Sequence, residues 1–337
     1  MRKTLLLLLF IIAFVSVPAF PETADELNTM GLESYRKGDY AKAVEYLTRS
    51  IKMDPMYLDA YFNRGYAYEA LGKSDKALAD FTALISLDPK IYDAYIARGD
   101  LLSSEGKSEE ALRDYDAAVG LDSKNYLAYS RRGDLAEKLG QYDAALSEYT
   151  KAIGCNTAEN SLFLKRGVIF LIHGEDKKAV GDFTTCIKND PRSEVGYAYR
   201  GQAYLKLKEF DRALADLTKV ISLNSKNSVA YVNRGYAYTG LSNFEKARSD
   251  FDYAISLGTD TVIAYIGRGD MYREQKLYEK AIADYTEAID IAPGLPFGYY
   301  GRALANEESG NAERASADFA RACELGLESG CNKGKNK

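Results

Sequence analysis

The chain has 337 residues, a formal net charge of −5 and a hydrophobic fraction of 46%. A mildly acidic chain offers no basic face to nucleic acid, and this hydrophobic content supports a folded core rather than a disordered chain. With His173 as its single histidine, one copy of the chain cannot form a histidine-rich metal site.

The N-terminal segment has the pattern of a secretory signal peptide. Arg2 and Lys3 precede an apolar run over residues 5–17, and small residues follow as far as Ala19. This order predicts residues 1–19 as a cleaved signal peptide and an exported protein, periplasmic or secreted. The alternative is an uncleaved anchor, although the run is shorter than the ~20 apolar residues that usually span a bilayer. Cleavage would leave 42 basic and 49 acidic residues, a net charge of −7.

From residue 24 onwards the chain repeats a 34-residue unit with no insertion or deletion. Apolar residues at positions 4, 8, 11, 20, 24, 27 and 28 of the unit have helical spacing, which predicts two helices per unit. Glycine at position 15 and proline at position 32, where present, end the first and second helix. The nine units are 24–57, 58–91, 92–125, 126–159, 160–193, 194–227, 228–261, 262–295 and 296–329.

Four columns of this alignment are nearly uniform. Position 4 is Leu27 in the first unit and aromatic in all others, and position 8 is glycine in all units except the last, which has Ala303. Position 20 is alanine throughout, and position 24 is leucine or aromatic. In these columns the unit resembles the tetratricopeptide repeat, a helix–turn–helix of 34 residues. The resemblance implies an all-α, right-handed superhelical solenoid in which each hairpin depends on its neighbours.

A charged pattern accompanies the apolar one from the second unit onwards. Position 7 is arginine and position 23 is acidic in the same eight units, whereas the first unit has Met30 and Tyr46 there. Because the two charges are absent together, we predict one structural ion pair per hairpin; the alternative is a column of arginines for anionic ligands. The predicted pairs are Arg64–Asp80, Arg98–Asp114, Arg132–Glu148, Arg166–Asp182, Arg200–Asp216, Arg234–Asp250, Arg268–Asp284 and Arg302–Asp318.

The first helix of the unit carries the candidate binding surface. In the tetratricopeptide family this helix lines a concave wall, and positions 2, 5, 9 and 12 form one stripe. The stripe is mainly polar in early units and apolar in later ones, and an exposed apolar surface of this extent marks an interaction site. The alternative is that part of the stripe packs against neighbouring helices. The predicted groove residues are Phe62, Tyr66, Leu164, Val168, Leu171, Val195, Val229, Val232, Tyr236, Ile263, Ile266, Phe297 and Tyr300.

The four cysteines fall into two pairs. Cys323 and Cys331, eight residues apart at the end of the array, resemble the cysteine spacing of Sel1-like repeats of bacterial secreted proteins, which implies a disulfide. Export to an oxidising compartment would favour that bond. Cys155 and Cys186 occupy positions that are usually apolar core, so two buried thiols and a second bond both stay open.

The sequence contains no catalytic constellation. His173 has no suitable nucleophile beside it in the sequence, and no glycine-rich phosphate loop follows a strand. We therefore expect no enzymatic activity, no cofactor, no metal and no nucleic-acid partner, and membrane contact only through an uncleaved signal.

Our hypothesis is a non-catalytic protein–protein interaction scaffold of the bacterial cell envelope or secreted space. The concave groove would bind a peptide or extended segment of a partner protein. The alternative is a module for a non-protein envelope ligand, either a glycan or a lipid-like molecule, and self-association also stays open. Residues 330–337 are expected to form a short basic tail, in which residues 332–337 are disordered.

Overall fold

The computed structural model describes residues 23–334, so the predicted signal peptide lies outside the described residues. Within that range the chain forms nineteen helices and no strand. It divides into two compact units, one ending at Gly140 and one beginning at Gln141. The first contains α1 (Ala24–Arg36), α2 (Tyr40–Met53), α3 (Leu58–Ala70), α4 (Ser74–Leu87), α5 (Tyr92–Ser104), α6 (Ser108–Leu121) and α7 (Tyr126–Lys138).

The second unit contains the remaining twelve helices. They are α8 (Tyr142–Cys155), α9 (Asn160–Ile172), α10 (Asp176–Asn189), α11 (Glu194–Lys206), α12 (Phe210–Leu223), α13 (Ser228–Gly240), α14 (Phe244–Ser256), α15 (Thr261–Glu274), α16 (Tyr278–Ile291), α17 (Pro296–Glu308), α18 (Ala312–Glu324) and α19 (Glu328–Gly334). Helix pairs therefore recur in the predicted register, and repeat four contributes one helix to each unit. The predicted all-α class of tandem helix–turn–helix repeats is confirmed.

In seven repeats the hairpin closes where the glycine at position 8 meets the large residue at position 24. In the second repeat, a Cβ on Gly65 would lie 2.6 Å from the ring of Phe81, closer than two carbon atoms can pack. Ala77, at position 20, is fully buried beside this contact. Because interiors are packed to crystal-like density, glycine and alanine here fix how closely α3 and α4 approach.

The turn inside each hairpin takes a left-handed residue at position 15. Six repeats have glycine there, as predicted: Gly38, Gly72, Gly106, Gly140, Gly174 and Gly310. The sixth to eighth repeats place Lys208, Ser242 and Lys276 in the same conformation, with φ between 56° and 61°. A left-handed L-residue is disfavoured by roughly 1–2 kcal/mol, so the turn geometry overrides local preference in these three repeats.

The C-terminal segment is ordered further than predicted. Cys323 and Cys331 form a disulfide that joins α18 to α19, and the Lys333 ammonium lies 2.8 Å from the Glu307 carboxylate. Gly330 is buried against the backbone of α18, where a Cβ would meet the Phe319 carbonyl oxygen at 2.9 Å. The prediction of a disordered tail is therefore wrong for residues 332–334.

Candidate functional site

The arginines at position 7 and the carboxylates at position 23 form a ladder of ion pairs. In the second repeat, Arg64 donates from Nε to Asp80 Oδ2 at 2.8 Å and from Nη2 to Asp80 Oδ1 at 2.6 Å. Such two-point contacts are among the strongest hydrogen bonds of proteins. The same geometry recurs in Arg98–Asp114, Arg166–Asp182, Arg200–Asp216, Arg234–Asp250, Arg268–Asp284 and Arg302–Asp318.

Each of these arginines also reaches the preceding repeat, a contact that the sequence analysis missed. Arg64 Nη1 donates to Thr48 Oγ1 at 3.1 Å, so one guanidinium joins α2, α3 and α4. The acceptor stands at position 25, where threonine recurs as Thr48, Thr82, Thr150, Thr184, Thr218 and Thr286. For Arg268 the acceptor is Asp252. This recurrence at a fixed position was visible in the sequence, and the ladder is a structural joint between repeats.

Two predicted groove residues are part of the core instead. Leu171 is 5% exposed and packs with Phe183, and Val232 is 2% exposed and packs with Phe251. Their assignment to the groove is wrong, because both side chains belong to buried core clusters. Seven further predicted residues are half-buried against core clusters, as the packing alternative expected: Phe62, Tyr66, Leu164, Val168, Tyr236, Ile266 and Tyr300.

The exposed part of the predicted groove lies at position 2 of the last four repeats. Val195 is 50% exposed, Val229 41%, Ile263 39% and Phe297 55%. They lie in the first turns of α11, α13, α15 and α17, and these helices contact one another in succession. The four side chains therefore form one row of apolar surface, called here the position-2 stripe.

The first unit carries a polar network at positions 6, 9 and 24 of its repeats. Asp100 accepts hydrogen bonds from the Tyr115 hydroxyl at 2.8 Å and from Arg131 Nε at 2.9 Å, and Arg131 also lies 3.5 Å from Asp134. Burial raises the pKa of Asp100, an effect that Arg131 and Tyr115 oppose. A cavity of about 260 Å³ lies beside this network. Lys138 closes one side of it, with Nζ 2.7 Å from the Ser103 carbonyl oxygen.

The carboxylates around Tyr66 continue this polar surface. Burial raises the pKa of Asp93, and burial together with the Asp100 charge raises the pKa of Glu69. Burial, followed by the nearby charges of Asp100, Glu69 and Asp93, raises the pKa of the Tyr66 hydroxyl to about 12. The two units therefore differ at position 2, which is aspartate in the first three repeats and apolar in the position-2 stripe.

A buried carboxylate of the second unit resembles Asp100 in its tyrosine hydrogen bond and in its raised pKa. Asp270 accepts from the Tyr285 hydroxyl at 2.7 Å and from the Tyr236 hydroxyl at 3.2 Å, and burial raises its pKa. In both networks an aspartate at position 9 pairs with a tyrosine at position 24. The apolar spacing predicted only a core position for these tyrosines. The occurrence of aspartate at position 9 and tyrosine at position 24 in one repeat was visible in the sequence.

The remaining candidate groups form no metal site in the described range. Among residues 23–334, no group of three or more histidine, cysteine, aspartate or glutamate side chains is arranged to hold a metal ion. Cys186 is a buried thiol whose pKa burial raises to about 12, whereas Cys155 is exposed, contrary to the expectation for its position. None of the helices described here is both long and apolar enough to span a bilayer.

Comparison with known proteins places these features in a family. The tetratricopeptide repeat model matches residues 28–93, 96–161, 200–260 and 232–296. A tetratricopeptide repeat protein of Parabacteroides merdae is 24% identical, with a TM-score of 0.66, and the match covers 72% of this chain and 97% of that one. YrrB, described as a TPR protein with an unusual peptide-binding site, is 26% identical, with a TM-score of 0.51 over 55% of this chain and 95% of its own.

A curated relative matches a shorter segment. An uncharacterized protein of Methanocaldococcus jannaschii is 43% identical over 46 residues, which are 14% of this chain and 54% of that protein. The match therefore spans about half the length of that relative. Tetratricopeptide repeat proteins generally act as non-catalytic scaffolds that bind peptides or protein partners. Since the family model matches more than half of the chain and the helix pairs keep its register, the chain belongs to the tetratricopeptide repeat family.

Proposed function

We propose that this protein is a non-catalytic interaction scaffold that binds an extended segment of a partner protein along the position-2 stripe. The observation that carries this proposal is the exposure of Val195, Val229, Ile263 and Phe297 in one register. A lone exposed apolar residue needs no explanation, but a contiguous apolar row is typical of a protein interaction site. An extended peptide suits a row of this kind, since it can place alternate side chains on successive repeats.

The proposal includes export from the cytoplasm. The basic, apolar and small residues of the N-terminal segment support it, as does the Cys323–Cys331 disulfide, because such bonds persist in oxidising compartments. The partner would then be another protein of the envelope or of the secreted space. Fractionation of cells that produce the protein tests this part, and recovery with the cytoplasmic fraction would contradict it.

The binding proposal is tested by capturing partners from an envelope extract with three forms of the protein. The stripe variant combines Val195→Glu, Val229→Glu and Phe297→Glu. The matched control is Leu241→Glu, since Leu241 is 42% exposed and Val229 41%. A protein captured by the wild type and the control, but lost with the folded stripe variant, supports the proposal. Equal capture by all three forms would contradict it, and capture of a glycan or lipid without protein would favour the non-protein ligand.

A further inference from the structure

Position 11 of the first helix carries an aromatic ring close to one cation in five repeats, and close to a second cation in four of these. A lysine or arginine at position 19 lies 5.2–5.6 Å from the ring centroid in all five. In four of them the ladder arginine at position 7 lies 5.8–5.9 Å from the same centroid. Cations at these distances are attracted to the face of a ring. The five rings are Tyr68, Phe170, Tyr204, Tyr238 and Tyr272.

The ninth repeat keeps both cations but lacks the ring. Arg302 stands at position 7 and Arg314 at position 19, but position 11 is Asn306. A cavity of about 330 Å³ opens among these three residues, within the ~300–1,000 Å³ range of ligand pockets. The third and fourth repeats also lack the ring, but Glu110 and Ala144 replace the second cation there. Ile282, Thr286, Ala317 and Asp318 complete the cavity wall, which contains no residue of the position-2 stripe.

The missing ring uncovers the ladder pair of this repeat. The side chains of Arg302 and Asp318 are 24% and 12% exposed. In the four repeats where a ring lies over the ladder arginine, the arginine is 15–17% exposed and the aspartate 6–8%. The ninth repeat therefore keeps the two cations that lie near an aromatic ring in other repeats, but has no ring beside them.

The hydrogen-bonding groups of the cavity point to the class of ligand. Arg302 donates from Nε and Nη2 to Asp318 and from Nη1 to Thr286, so its edge is engaged. The Tyr299 ring lies over its guanidinium at 5.9 Å, which leaves the opposite face for stacking with a ligand ring. Asn306 is 2% exposed, and its Nδ2 donates to the Arg302 carbonyl oxygen at 3.1 Å. Its Oδ1 is buried without a hydrogen-bond partner. A buried unpaired acceptor is unfavourable and selects a ligand with a donor.

We propose that this cavity binds a phenol ring, which packs against the guanidinium groups of Arg302 and Arg314, and that the buried Asn306 amide turns toward the cavity so that its Oδ1 accepts the phenol O–H. The ring takes the place that the chain's own side chain fills in five other repeats. The phenol is either the side chain of a partner's tyrosine or a free phenolic molecule. This site is separate from the position-2 stripe, so its test does not depend on that of the proposed function.

The test is a titration of the protein with p-cresol, followed by ligand-observed NMR. We expect binding at about one site, and a loss of affinity of more than about tenfold in Asn306→Tyr, where the chain fills its own cavity. We expect Tyr204→Asn to gain a second site, because Arg200 and Arg212 lie 5.9 Å and 5.6 Å from the ring centroid at position 11 of the sixth repeat. Toluene, which lacks the donor, should bind about tenfold more weakly than p-cresol.

Three results would overturn the proposal: no binding of p-cresol to the wild type, equal binding by Asn306→Tyr, or equal affinities for toluene and p-cresol. The gain of a site in Tyr204→Asn guards against a loss that reflects misfolding of Asn306→Tyr. A blocked Gly-Tyr-Gly peptide then separates the two sources. If it binds as tightly as p-cresol, the ligand is a tyrosine of a partner chain; if it does not bind, the ligand is a free phenol.

Discussion

Substitution of one ladder carboxylate tests whether the ion pairs hold the repeats together. Asp182 accepts two hydrogen bonds from Arg166, at 2.9 Å from Nε and at 2.7 Å from Nη2. Asp182→Ala removes both and leaves the guanidinium with Thr150 Oγ1, 3.0 Å from Nη1, from the preceding repeat. The substitution therefore isolates a charge that joins three helices.

The expected magnitude follows from the burial of the arginine. Breaking a buried ion pair costs ~3–5 kcal/mol when the remaining charge stays buried without its partner. The Arg166 side chain is 17% exposed, which lets water reach part of the guanidinium. We therefore expect Asp182→Ala to lower the free energy of unfolding by ~3 kcal/mol, the lower end of that range. This is a large share of the ~5–15 kcal/mol that stabilises a typical protein.

Urea unfolding followed by circular dichroism measures this loss, and hydrogen exchange shows whether it extends to the repeats before and after. The matched control is the double variant Arg166→Met with Asp182→Leu, which replaces both charges by apolar groups. Such replacements are often neutral or stabilising, so the double variant should recover most of the loss. A single variant as stable as the wild type, or a double variant no better than the single one, would refute the reasoning.

Three further substitutions probe the turn, a buried carboxylate and the hairpin contact. Ser242→Gly should raise the unfolding free energy by ~1 kcal/mol, because Ser242 has φ 56°; a lower melting temperature would contradict this. Burial raises the pKa of Asp270 above its usual 3.8, so the wild type loses stability as pH rises from 3.8 to the raised value. The stability of Asp270→Asn relative to the wild type should rise across this window, and a pH-independent difference would refute the assignment. Gly65→Ala should cost ~1–3 kcal/mol by pressing on Phe81, whereas unchanged stability would show that the contact relaxes freely.

The sequence predicted the features that depend on the period alone. A fixed 34-residue spacing sets the helix register, and the joint absence of both charges in the first repeat identified the ladder pairs. Glycine at position 15 correctly indicated the left-handed turn. The same turn at Lys208 could not be predicted, because lysine does not favour this conformation and adopts it only within the packed hairpin.

The burial of individual groove residues could not be read from spacing. Val229 and Val232 are one helical turn apart on the same predicted stripe, yet they are 41% and 2% exposed. Val232 belongs to the buried cluster that contains Phe251 of α14 and Met271 of α15, whereas Val229 lies outside this cluster. Periodicity gives the direction of a side chain, whereas its depth depends on the size of residues in a neighbouring helix.

The cavity of the ninth repeat could not be predicted from any single column of the repeat alignment. Each of Arg302, Asn306 and Arg314 is unremarkable on its own in the sequence. Their combination stands out only by comparison with other repeats, such as the sixth and seventh, in which a ring at position 11 lies near a cation at position 7 and another at position 19. A comparison of pairs of positions across the repeats would have found it.

The most direct test of the central claim is site-specific photo-crosslinking along the position-2 stripe. A photoreactive phenylalanine is placed at residue 229 or residue 297, and at residue 241 as a control of similar exposure to residue 229. If the stripe binds a partner protein, a polypeptide crosslinks at residue 229 and at residue 297, and this product is absent at residue 241. The same product at all three positions, or a product at 241 alone, would contradict the claim that the stripe binds the partner.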